Sequence, residues 1–173
     1  MRSDELLEML VAGDLRTTGA VNRAVEIVLE DPTLFGELIL AISDEKRGLA
    51  LRAADAAEKV SRIQPALLSG YREEIYGFAT SASAIEIQWH AAQMIGRLSL
   101  DSAEATFAFG LLSELYRGSS SRISRVCALE SLAALSLSHP ELRPRADVLL
   151  GEALGSPIPS VAARARKLAK KMI

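Results

Sequence analysis

The stretch Gln88–Leu98, QWHAAQMIGRL, has close echoes at RAADAAEKVSRI (52–63), RVCALESLAAL (125–135) and AARARKLAKKM (162–172). Aligned on Ala56, Ala91, Ala128 and Ala165, the copies recur every 35 or 37 residues. A weaker copy, VNRAVEIVLE, puts Ala24 in the same place, 32 residues before Ala56. Four residues after each alanine stand Val28, Val60, Ile95, Leu132 and Ala169. Seven residues after it stand Asp31, Ile63, Leu98, Leu135 and Met172, so only the first copy interrupts an apolar column. Positions i, i+4 and i+7 share one helical face. A face repeated at this period marks stacked helical hairpins with one continuous core.

The pattern extends outward along the chain. Apolar residues keep helical spacing over 3–12, 16–30, 32–43, 47–63, 65–79, 83–98, 101–116, 121–137, 141–154 and 158–172, predicting ten helices and no strand. The breaks carry helix punctuation. Asp31-Pro32 offers a cap followed by proline, and Asp101 with Glu104 offers a capping pair. Gly118 to Ser121, Ser138 to Pro140 and Gly155 to Pro159 form the other interruptions. Gaps this short make successive helices antiparallel neighbours.

Composition agrees. Hydrophobic residues make up 49% of the 173 residues but aromatics only 5%, so the core is mostly aliphatic and alanine, which suits close-packed helices better than a β-sandwich. The length fits one domain, 1–173. The formal net charge of −2 gives no global attraction to nucleic acid or anionic membrane. A single cysteine, Cys127, excludes an internal disulfide, and the opening MRSDELLEML does not read as a secretory signal. No apolar run reaches the ~20 residues of a membrane span. A cytoplasmic location is therefore expected.

The second helix of each pair, above all residues 88–98, resembles the HEAT repeat, in which a small-residue pair precedes an ending like "LGRL". The resemblance covers about residues 16–172, and the chain as a whole is similar to small stand-alone prokaryotic HEAT-repeat proteins. It implies an all-α fold, a right-handed α-α superhelix of about five helical hairpins, and no particular activity. The family's turn aspartate and second-helix arginine are both present only in the second pair, as Asp44 and Arg52, so the interhelical polar ladder is expected to be incomplete.

In such solenoids the second helices line the concave surface. The alignment then projects Asp55, His90 and Cys127 from one position, Glu58, Gln93 and Glu130 from a second, and Arg62 and Arg97 from a third. This face reads either as the solvated side of amphipathic helices or as a binding groove. The expected function is a non-enzymatic interaction module that binds a protein or peptide through Asp55, Glu58, Arg62, His90, Gln93, Arg97 and Glu130. A further basic contact is expected at Arg164, Lys167 and Lys171. Acids toward the first repeats and bases toward the last suggest a bipolar partner.

A second reading is nucleic-acid binding by the basic C-terminal helix, although Glu26, Glu30, Asp55, Glu58 and Glu130 oppose it. A third is an enzyme centred on His90 and Cys127. Asp55, His90 and Cys127 follow the order of orienter, base and nucleophile, but Cys127 lies inside a helix with no oxyanion hole near it, and an Asp55–His90 hydrogen bond is the expected arrangement. Glu86 and His90 share i, i+4 spacing without an evident third ligand. No enzyme activity, cofactor or metal is therefore expected. Trp89, the only tryptophan, is expected to act as a wedge between repeats.

Overall fold

The computed structural model describes residues 3–12 and 19–172. Among these it holds ten α-helices and no strand: α1 (Ser3–Ala12), α2 (Gly19–Glu30), α3 (Phe35–Ala41), α4 (Arg47–Ile63), α5 (Arg72–Ser81), α6 (Ile85–Ile95), α7 (Ser102–Gly118), α8 (Arg122–Ser138), α9 (Arg143–Leu154) and α10 (Pro159–Lys171). The expected start of the second helix at 16–18 lies outside the described residues.

The punctuation works through specific hydrogen bonds. Asp101 Oδ1 accepts from Glu104 N at 2.8 Å while Glu104 Oε2 accepts from Asp101 N at 2.9 Å, closing a capping box on α7. Ser121 caps α8 by accepting from Ser124 N. Asp31 accepts from Thr33 N, but the turn it opens, Pro32–Leu34, is 3-10 rather than α. Pro65–Tyr71 and Pro140–Leu142 also form 3-10 segments ahead of α5 and α9. A proline at the first position is compatible with either winding, because its missing N–H has no partner within the helix, and α10 starts on Pro159 directly as an α-helix. The sequence pattern, blind to this, merges each 3-10 turn with the helix that follows.

Helices pack in antiparallel pairs, α1 with α2 through to α9 with α10, and the second helices stack in a row, α2 on α4, α4 on α6, α6 on α8 and α8 on α10. The buried apolar residues form one cluster from Leu6 to Met172. The reference alanines Ala24, Ala56, Ala91, Ala128 and Ala165 are all 0% exposed. A methyl group at each contact lets neighbouring helices approach closely. Val60, Ile95, Leu98, Leu132 and Leu135 are buried as the column requires, but Ile63 is 63% exposed. Ile63 is the last residue of α4, and the chain turns away immediately after it at Gln64-Pro65.

A close approach joins the end of α6 to α8. A Cβ on Gly96 would stand 2.6 Å from Ser131 Oγ and 2.9 Å from Ser131 Cα. Ser131 Oγ donates to Ala92 O at 2.7 Å, tying the two helices at the same level. Trp89 is half-buried against the core, consistent with a wedge.

Polar links also join successive repeats. Arg47 pairs with Glu86, Arg72 with Glu104, Arg97 with Glu58, Arg117 with Glu152 and Arg164 with Glu130. A glutamate supplies the anion in each of these links. Arg52, by contrast, caps the end of α1, donating to Leu10 O and Val11 O.

Gly96→Ala should lower stability by about 1–3 kcal/mol, because the added methyl meets backbone as well as a side chain. Gly151 lies exposed in α9 with nothing within 4 Å of a built Cβ. Gly151→Ala should instead gain roughly 0.5–1 kcal/mol. Urea unfolding of both variants checks the pair, and equal effects would mean that the α6–α8 contact is not tight.

Candidate functional site

The polar face of the second-helix row holds an open cavity of about 450 Å³ lined by Arg62 of α4, Gln93 of α6, Gly96 and Arg97 in the turn after α6, Glu130, Ser131 and Ala134 of α8, and Arg164 of α10. Residues up to about 100 positions apart in sequence thus meet on one surface because the stack brings equivalent positions of successive second helices side by side. Four of the seven residues assigned to the face by the repeat alignment, Arg62, Gln93, Arg97 and Glu130, line this cavity, joined by Arg164.

Glu58 lies behind them and is fully buried. Arg97 Nη2 donates to its Oε1 at 2.6 Å, and Arg62 Nε donates to the same oxygen at 2.8 Å. Arg62 Nη2 also lies 2.7 Å from Oε2. Arg97 Nη1 continues to Ser61 Oγ at 2.9 Å, and Ser61 donates onward to Glu58 O at 2.7 Å. Burial alone would push the Glu58 carboxyl up, but the two guanidiniums outweigh it and hold the group below the usual carboxylate range. Glu58 is therefore a structural anion that ties α4 to the end of α6.

The neighbouring groups depart from expectation. Asp55 accepts from Lys59 Nζ at 3.1 Å, one turn along α4, and not from His90. His90 Nδ1 is buried without a hydrogen-bond partner. Burial pushes the His90 imidazole down, against the pull of Asp55 and Glu58, so the ring is neutral at pH 7. Donor atoms of Asp55, Glu58 and His90 lie within 4.8 Å of one another. Lys59, Arg62 and Arg97 already hold the two carboxylates, which makes this a poor cradle for a cation. Cys127 is buried, and burial pushes its thiol up to about 12. It is protonated at neutral pH and offers no thiolate nucleophile.

At the C-terminal end Arg164 pairs with Glu130, whereas Lys167 and Lys171 are exposed and stand apart from the cavity. The charge gradient along the row is weaker than the sequence suggests. Of the acids Glu26, Glu30, Asp55 and Glu58, one is buried between arginines and another is paired with Lys59. None of the described helices is long and apolar enough to cross a membrane.

No protein-family model matches the chain, and no curated protein matches it in sequence. Among solved structures, it is similar to a chain of the complex of CpcE and CpcF of phycocyanin lyase from Nostoc sp. PCC7120, with a TM-score of 0.73, 19% identity, and coverage of 96% of this chain and 97% of that one. The likeness is one of fold: a helical solenoid of HEAT type. It also corrects the expectation that the chain is not an enzyme. That expectation rested on the lack of a catalytic motif in a repeat scaffold, and the matched scaffold, nearly end to end, belongs to a lyase complex.

Glu58→Gln should cost about 1–3 kcal/mol at pH 7, because it trades charge-assisted contacts for neutral ones while both guanidiniums keep access to water. The pH dependence has a defined sign. The folded-state pKa of Glu58 is depressed, so its contribution is present above about 4.5 and is lost as pH falls below that value. His90, also depressed, contributes stability that starts to fall below about 6.5. Thermal midpoints of the wild type should therefore decline in two stages on acidification. The lower stage should be diminished in Glu58→Gln, and an unchanged acid limb would contradict the assignment.

Proposed function

We propose that the chain is a protein-binding helical module whose partner docks on the second-helix row around Gln93, Arg97 and Glu130, and that it works as one member of a two-protein assembly. The observation that carries this reading is the end-to-end likeness to a chain solved in a complex of two proteins. The row supports it in its own right. It presents a polar, water-accessible cavity framed by elements locked together through Ser131 and Glu58, so the binding groups are held in place before a partner arrives. The bipolar partner expected from sequence gives way to one matched chiefly to the arginines at the centre of the row.

A catalytic role for the assembly is favoured by the same comparison, since the solved complex is a lyase. The buried, protonated Cys127 does not provide a nucleophile for it. Reactive groups would come from the partner or from the cavity's charged side chains. Nucleic-acid binding has less support: of the five basic residues of the C-terminal helix, Arg164 is engaged by Glu130.

A photo-crosslinking residue in place of Gln93, introduced in native host cells, should yield a protein adduct of one defined mass. The same residue in place of Val148, exposed on α9, should not. Adducts formed only from Val148 would move the interface to the first-helix side and remove this reading.

A further inference from the structure

Three guanidiniums converge on the second-helix cavity. They belong to Arg62, Arg97 and Arg164 and come from three different repeats. Two of them share a single carboxylate, Glu58, and the third shares Glu130. The wall therefore carries one positive charge more than its own carboxylates neutralise. The charges are also layered. The side chains of Arg62, Arg97 and Arg164 are 55%, 25% and 39% exposed, while that of Glu58 is 0% exposed. The cationic groups face the opening, and the most buried anion sits behind them. The side-chain amide of Gln93, on the same wall, makes no hydrogen bond among the described residues and is available as a neutral donor.

From this arrangement we infer that the cavity is a recognition site for a carboxylate, supplied by an acidic side chain of the protein partner. The inference rests on the reading of the second-helix row as the protein-binding face and gives that face a chemistry. Each guanidinium offers five N–H donors in a planar fork, and the internal contacts use only part of them. Arg62 directs Nε and Nη2 at Glu58, and Arg97 directs Nη1 and Nη2 at Glu58 and Ser61. The unused edges suit the two oxygens of a carboxylate. The surplus of one charge matches a single carboxylate group at the opening, whatever other charges its molecule carries elsewhere. A phosphate dianion would exceed it and would lie against Glu130. A cavity of about 450 Å³ is larger than a carboxylate alone and leaves room for the side chain that bears it.

The roles of Glu130 and Arg164 follow. Glu130 is the internal stand-in, holding Arg164 at the cavity edge until an external carboxylate competes for it. Removing Glu130 should strengthen binding, whereas removing Arg164 should weaken it. A merely structural ion pair would not produce opposite signs.

The test is a titration of the full-length ¹⁵N-labelled protein, following the arginine Nε–H signals at constant ionic strength of about 0.15 M. The probes are a blocked tetraglutamate peptide, glutarate, inorganic phosphate and the neutral glutaramide. Tetraglutamate should shift the Arg62, Arg97 and Arg164 signals saturably and more tightly than glutarate, and glutaramide should leave them unmoved. Arg164→Gln should weaken the peptide at least about tenfold, and Glu130→Gln should tighten it severalfold, with thermal midpoints confirming that both variants fold. Stronger binding of phosphate, binding of glutarate without the peptide, equal effects of the two variants, or no saturable shift would each overturn the inference. Failure here with a Gln93 crosslink intact would remove the carboxylate chemistry but leave the docking face. Crosslinks confined to Val148 would remove the face itself.

Discussion

Everything in this structure hangs on how closely the second helices approach one another. Ala24, Ala56, Ala91, Ala128 and Ala165 are fully buried, one per helix, and at the α6–α8 contact even a methyl group is too large, so Gly96 lies against Ser131. Small residues at every interface permit dense packing with few aromatic side chains. Each second helix must return to the same register against its neighbour, so any change in loop length must preserve the alanine contacts.

Close approach brings polar positions of successive helices within reach of each other, and the chain uses that proximity. Glu58 is withdrawn entirely from water, a costly step that only its two guanidiniums and the Ser61 link make tolerable. Arg97 is therefore first a structural group. Reversing its charge would disturb α4 and the end of α6 as well as any partner contact, so association kinetics of such a variant would not isolate the groove. Arg164, more exposed and paired with a half-buried glutamate, is the better probe. The same pairing orders the charges of this face through the scaffold.

The repeat and the caps were legible because they are local or periodic. Ala91 and Ala128 announce the interface by recurrence, and Asp101 and Glu104 announce their box by spacing. Parts of the polar network could also have been read locally, since Asp55–Lys59 and Glu58–Arg62 are both i, i+4 pairs on α4. Treating Asp55 and Glu58 as free groove acids overlooked them. The burial of Glu58 was not legible, because it depends on Arg97 arriving from 39 residues away. Ile63 shows the opposite failure. The apolar column includes it, but the helix ends there and leaves the side chain in solvent.

The most direct measurement of this account is a double-mutant cycle on the tie between α4 and the end of α6. Glu58→Leu and Arg97→Met would be made singly and together and compared by urea unfolding. Glu58→Leu leaves Arg97 without its carboxylate, and Arg97→Met leaves the buried Glu58 with Arg62 alone, whereas the double change removes both ends of the tie and leaves Arg62 free to turn to solvent. The double variant should therefore be more stable than the sum of the single effects allows, with a coupling of about 2 kcal/mol or more. Additivity within about 0.5 kcal/mol would contradict it, and the groove's arginines would then have to be regarded as independent surface charges.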